Sequence, residues 1–82
     1  MIKAGDIFNQ VHTDDSSITY THEVLRIYDC DGIIKAVMLT NGNDICDIQH
    51  DMSLRTIYLN IHCGCFTHPL YPEFFIENET IS

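Results

Sequence analysis

The chain has 82 residues, with twelve acids against four bases and a formal charge of −8 at pH 7. That length suits one domain, and it contains no apolar run of about 18 residues, the kind that spans a membrane. The acid excess argues against a DNA- or RNA-binding surface, because affinity for phosphates needs Lys and Arg. A core this small supplies about 3–5 kcal/mol unaided, so a homo-oligomer or a bound ligand is expected to support it.

Strand signals dominate the first three-quarters of the sequence. Residues 5–11 read as a short first strand, and Asp14-Asp15-Ser16-Ser17 as a polar break. Residues 18–28 form a long second strand rich in Thr, Tyr, Val and Ile. Ile18, Tyr20, His22 and Val24 share one face, but Leu25 and Ile27 then fall on the other. That change predicts a bulge or sharp bend near His22-Glu23, as where a strand passes between sheets in a small barrel. Asp29-Cys30-Asp31-Gly32 reads as a turn.

Residues 33–39 are apolar on both faces, with Ile34, Ala36 and Met38 on one side and Ile33, Val37 and Leu39 on the other. Such a strand is central or covered by a partner, which points to a two-fold dimer. Asn41-Gly42 gives a hairpin signal. Residues 45–48 make a fourth strand, with Asp47 facing water and Ile48 the core. Residues 50–53 read as a single helical turn, and residues 54–61 as a fifth strand with Ile57, Leu59 and Ile61 on one face. No long stretch carries an obvious helical repeat, which excludes an all-α fold. Residues 62–69 form a loop by their Gly and Pro content. Phe74, Phe75 and Ile76 belong either to an edge strand or to a short helix opened by Pro72. One domain over residues 1–76 is expected, with a mobile tail at 77–82.

These elements predict a mainly β fold, a five-stranded SH3-like or related small barrel with a short helical turn and an irregular C-terminal segment. Three stretches carry a resemblance: Lys3-Ala4-Gly5-Asp6-Ile7-Phe8, then residues 20–27, then residues 35–41. Their layout resembles small phage-encoded accessory proteins with SH3-like barrels. The resemblance implies a part in host takeover or counter-defence and no enzymatic activity. It transfers no site residue.

Residues 1–6 lack a signal-peptide layout, so the expected compartment is the cytoplasm, the host's if the protein is viral. Thiols stay reduced there. Cys30 and Cys46 flank opposite ends of the eight-residue strand over residues 33–40, about 26 Å long, whereas bridged Cα atoms lie within about 7 Å. They are not expected to pair. His62, Cys63, Cys65 and His68 are the types that hold zinc, but zinc knuckles separate their cysteines by two to four residues and here one intervenes. The competing reading is two small thiols beside a turn glycine. Neither thiol has evident cationic support as a nucleophile. No cofactor is expected beyond that candidate zinc. Asp29, Asp31, Asn41, Asn43 and Asp44 resemble fragments of calcium loops, but turn formation accounts for them better. His12, His22 and His50 stand alone and read as surface or capping residues.

Taken with that resemblance, the acid excess points to a non-enzymatic protein that inhibits a host factor by occupying a basic, nucleic-acid-binding groove. Its candidate contacts are Asp44, Asp47, Asp51, Glu73, Glu77 and Glu79. The competing reading is that the charge keeps a small β protein soluble. The alternative function is a nucleotide-like ligand site, with Tyr20, Tyr28, Tyr58 and Tyr71 at a barrel mouth and Arg26, Arg55 or Lys35 answering the anion.

Overall fold

A computed structural model describes residues 2–12 and 14–71. Four strands, β1 (Ile7–Val11), β2 (Thr19–Cys30), β3 (Ile33–Gly42) and β4 (Ile48–Ser53), precede one helix, α1 (Leu54–His62). The strands form a single antiparallel sheet in the order β1-β2-β3-β4. The fold is mainly β, as expected, but the sheet is open. The segment read as the fifth barrel strand is α1, and the segment read as a helical turn is β4.

The helix has a local cause. Residues 54, 57, 58 and 61 are apolar at the 0, 3, 4, 7 spacing of a helix face. Ile57, Tyr58 and Ile61 are buried, whereas Leu59, placed inward by a strand reading, is 46% exposed. The Ser53 hydroxyl caps the helix by accepting the Thr56 backbone N–H at 3.2 Å. So short a segment satisfies both periods, and capping together with packing on the sheet decides between them.

The bulge lies slightly later than its expected place. Val24 pairs with Met38 and Arg26 with Val37, so Leu25 is the extra residue. Val24 and Arg26 therefore face opposite ways, and Ile27 returns to the face of His22 and Val24. The extra residue restores the apolar pattern to one face and does not carry the strand into a second sheet. The β2–β3 turn needs two left-handed residues, and Asp31 (φ 53°) and Gly32 (φ 86°) supply them. Its mate at the other end differs from expectation. Asn41 and Gly42 stay within β3, where the Tyr20 ring covers Gly42 closely enough that an added Cβ would meet it at 2.6 Å. The chain reverses at residues 43–47.

One face of the sheet carries Phe8, Val24, Ala36 and Met38 into a core closed by Ile57, Tyr58 and Ile61 of α1 and by Phe66 and Tyr71. Residue 67 laces the outer edge of β1: Asn9 donates to the Thr67 carbonyl at 3.0 Å and accepts from Thr67 N–H at 2.9 Å. On the opposite face Val37 is buried although no helix covers it. Arg26 and Asp51 flank it across the sheet. The Tyr28 hydroxyl reaches over from β2 to the Asp51 carboxylate, with the Arg26 guanidinium 5.1 Å from its ring centre. The chain itself thus shields part of the second apolar face that motivates a dimer. Ile7, Val11 and Leu25 remain exposed there. Among the described residues no helix is long and apolar enough to cross a membrane.

Candidate functional site

An antiparallel meander gathers alternate loops at one end, here residues 14–18 and 43–47. Asn43 rivets them: its side chain accepts from the Thr19 hydroxyl at 2.9 Å and donates to the Ser17 carbonyl at 2.6 Å. Asp44 accepts from the Tyr20 hydroxyl at 3.4 Å. Asp14, Asp15, Asp44 and Asp47 are all exposed at this end. The four bases, Lys3, Arg26, Lys35 and Arg55, all lie outside these loops. Asp47 also holds a left-handed backbone (φ 35°), which Asp and Asn tolerate better than most residues. Asp51 does not join the group. It lies on the uncovered face of β4 under the Tyr28 hydroxyl. Glu73, Glu77 and Glu79 lie outside the described residues. Ile48, expected to face the core, is 48% exposed at the start of β4.

A groove of about 590 Å³ opens at the opposite end, lined by residues 32–35 of the β2–β3 turn and β3, and by Ser53, Leu54 and Arg55. Its apolar walls are Ile33, Ile34 and Leu54. Lys35 and Arg55 supply charge, and no acid occupies the first turn of α1 to offset the positive end of the helix dipole. The tyrosines do not meet there. Tyr20 and Tyr28 stand at opposite ends of β2, while Tyr58 and Tyr71 lie in the core. No shared mouth forms from them.

Asp6 is a buried carboxylate that sequence reasoning missed. Its Oδ2 accepts the Lys3 backbone N–H and the Tyr71 hydroxyl, both at 2.9 Å, and its Oδ1 accepts the Lys3 ammonium at 3.0 Å. Burial works against its charge, but these donors outweigh it and hold the carboxyl below the usual range. Burial and the same carboxylate push the Tyr71 hydroxyl up to about 12. His68 is drawn into this clamp, with its ring packed at a tilt against Phe8 and Tyr71 and its Nε2 3.7 Å from Asp6. It is thereby turned to a different task from the zinc set with His62, Cys63 and Cys65. Among the described residues no three His, Cys, Asp or Glu side chains gather as metal ligands.

The two thiols do meet. Cys63 caps the C-terminus of α1, Gly64 turns the chain with φ 85°, and the sulfurs of Cys63 and Cys65 lie 3.0 Å apart at the surface. Hydrogen bonding from Cys65 holds the Cys63 thiol below its ordinary range and raises Cys65 in return. Cys30 and Cys46 are free and lie at opposite ends of the sheet.

His22 is buried, contrary to its expected surface role, in a chain of polar groups that crosses all four strands. Gln10 Oε1 and Thr40 Oγ1 each lie 2.8 Å from a His22 ring nitrogen, and Thr40 Oγ1 lies 2.7 Å from His50 Nε2. With the Gln10 oxygen as acceptor, the protons run in one sense: His50 to Thr40, Thr40 to His22 Nδ1, His22 Nε2 to Gln10. His22 is then neutral, in keeping with burial and the nearby His50, which lower its pKa. The sequence signal was position: His22 and Thr40 occupy inward places in otherwise apolar alternations. His12 keeps a capping part, accepting the Asp14 N–H at 3.1 Å. These buried groups satisfy one another, and the acidic end and the cationic groove are the charged surfaces among the described residues. No family model matches this chain, and neither does any curated protein or solved structure.

Proposed function

We propose that the protein is a non-enzymatic binder of a basic host factor, of the kind that handles nucleic acid, and that its acidic end makes the first contact. The observation that carries this is the segregation of charge: four exposed acids on two loops bridged by Asn43, with no Lys or Arg among them. A one-signed, pre-ordered surface steers an oppositely charged partner and loses little entropy on contact. The test is capture from host lysate with wild type and with Asp14→Asn, Asp44→Asn and Asp47→Asn combined. Asparagine suits the left-handed backbone at residue 47 and still accepts from Tyr20. The expected result is retention of a basic protein that weakens steeply as salt rises from about 0.05 to 0.5 M. The triple variant should mainly slow association, and a short DNA duplex should compete. Equal retention in high salt, or indifference to the substitutions, would assign the charge to solubility.

The groove favours a second reading, a site for a small anion with an apolar body, such as a nucleoside monophosphate. Two of the four bases and an unopposed helix N-terminus surround it. Calorimetric titration with adenosine monophosphate should give binding that Arg55→Ala and Lys35→Ala each weaken about tenfold, the loss of one charge-assisted contact. Binding unaffected by both substitutions would remove this reading.

A further inference from the structure

We infer that Cys63 and Cys65 form a two-electron dithiol–disulfide couple that small-molecule disulfides such as glutathione disulfide oxidise. Their sulfurs already lie 3.0 Å apart, and both residues are exposed. Gly64 makes this possible: its left-handed backbone turns the chain tightly enough for residues i and i+2 to present their side chains together. The Asn60 carbonyl, 3.5 Å from the Cys63 sulfur, further fixes that side chain at the helix end. Closing the pair needs a movement of about 1 Å to reach the S–S bond length of about 2 Å.

The chemistry balances with the oxidant named. The Cys63 thiolate, favoured by the hydrogen bond from Cys65, attacks one sulfur of glutathione disulfide. The glutathione S–S bond breaks, a mixed disulfide forms at Cys63, and one glutathione leaves as thiolate and takes up a proton. Cys65 then gives up its proton and attacks the Cys63 sulfur, and the second glutathione leaves. Two protein thiols are oxidised to one disulfide, and one glutathione disulfide is reduced to two thiols. The couple is joined to the core through the next residue, because the Phe66 ring stacks 4.6 Å from His22 and 5.8 Å from Phe8.

The test uses the full chain with Cys30→Ser and Cys46→Ser, so that only this pair can react. The protein is equilibrated in glutathione buffers of graded redox ratio, quenched in acid, alkylated and weighed. The expected product is lighter by two hydrogens, with both thiols protected and little mixed disulfide. Adding Cys65→Ser should trap a glutathione adduct on Cys63, and adding Cys63→Ser should slow the reaction several-fold. Both substitutions are at the surface, and circular dichroism checks that they fold. Accumulation of mixed disulfide on the two-cysteine protein, disulfide-linked dimers instead of an internal bond, or equal reactivity of the two single-cysteine chains would each overturn the proposal.

Discussion

Replacing Met38 with aspartate is expected to leave the chain unfolded in water at neutral pH. Met38 is fully buried at the middle of the central strand β3, between Val24 of β2 and His50 of β4. Removing its side chain alone costs about 2–5 kcal/mol. An unpaired carboxylate in the same place adds a desolvation penalty of several kcal/mol. A domain of 82 residues has a total stability of about 4–12 kcal/mol, so the sum is of the same size as the whole. Met38→Leu conserves volume and should cost under about 1.5 kcal/mol. Far-UV circular dichroism with urea titration distinguishes the two. A cooperative transition in Met38→Asp near the wild-type midpoint would show that β3 is not central to the core. This substitution probes the fold and not self-association, because Met38 faces α1 and the uncovered side of β3 belongs to Val37 and Leu39.

The second large effect concerns Asp6 and Tyr71. Asp6→Ala strips the acceptor from a buried hydroxyl and a backbone N–H, and a loss of about 2–4 kcal/mol is expected in urea titration. The two groups also set opposite ends of the pH profile. The Asp6 carboxyl is held low in the folded state, so its contribution is complete above the unfolded value of about 3.9 and disappears as pH falls through the lower folded one. Tyr71 is held high, at about 12. Above about pH 10 the unfolded chain releases the tyrosine proton first, so stability drops between about pH 10 and 12, by up to about 3 kcal/mol. Tyr71→Phe removes that part of the alkaline loss. If the variant and the wild type lose stability with the same slope there, the Asp6–Tyr71 bond does not hold the fold.

The sheet was legible because strands β1 to β3 announce themselves through β-branched residues and through turn chemistry at Asp31-Gly32. The helix was not, because residues 54–61 satisfy the strand period at Ile57, Leu59 and Ile61 and the helix period at Leu54, Ile57, Tyr58 and Ile61. Only the Ser53 cap and the space above the sheet choose between them. The barrel expectation fell with it, since closure needed a fifth strand. Among site residues, the exposure of Asp44 followed from turn composition, whereas Asp47, read as the outward residue of a strand, is exposed in the loop before β4. The separation of Asp51 from them depends on where β4 begins, three residues later than its composition indicates. The roles of Asp6 and His22 were hidden for another reason. Lys3 is a near neighbour of Asp6, but the partners that draw the two residues into the interior are distant in sequence, 65 residues away for Tyr71 and 18 for Thr40, and no local pattern reports such pairings.

That distance governs how the chain can be made. Each strand of the meander can zip onto its predecessor as it is synthesised, since every strand neighbour in the sheet is also a neighbour in sequence. Phe8 cannot be covered in this way. Its lid consists of Phe66, His68 and Tyr71, and the carboxylate that pins the lid, Asp6, is made among the first residues. At synthesis rates of about 5–20 residues per second, the 65 residues between Asp6 and Tyr71 take about 3–13 s. Through that interval a nascent sheet presents an uncovered aromatic ring beside a carboxylate that only Lys3 answers. The described fold therefore completes only once residues 66–71 have been synthesised, and that segment locks Asp6 and Phe8 in place.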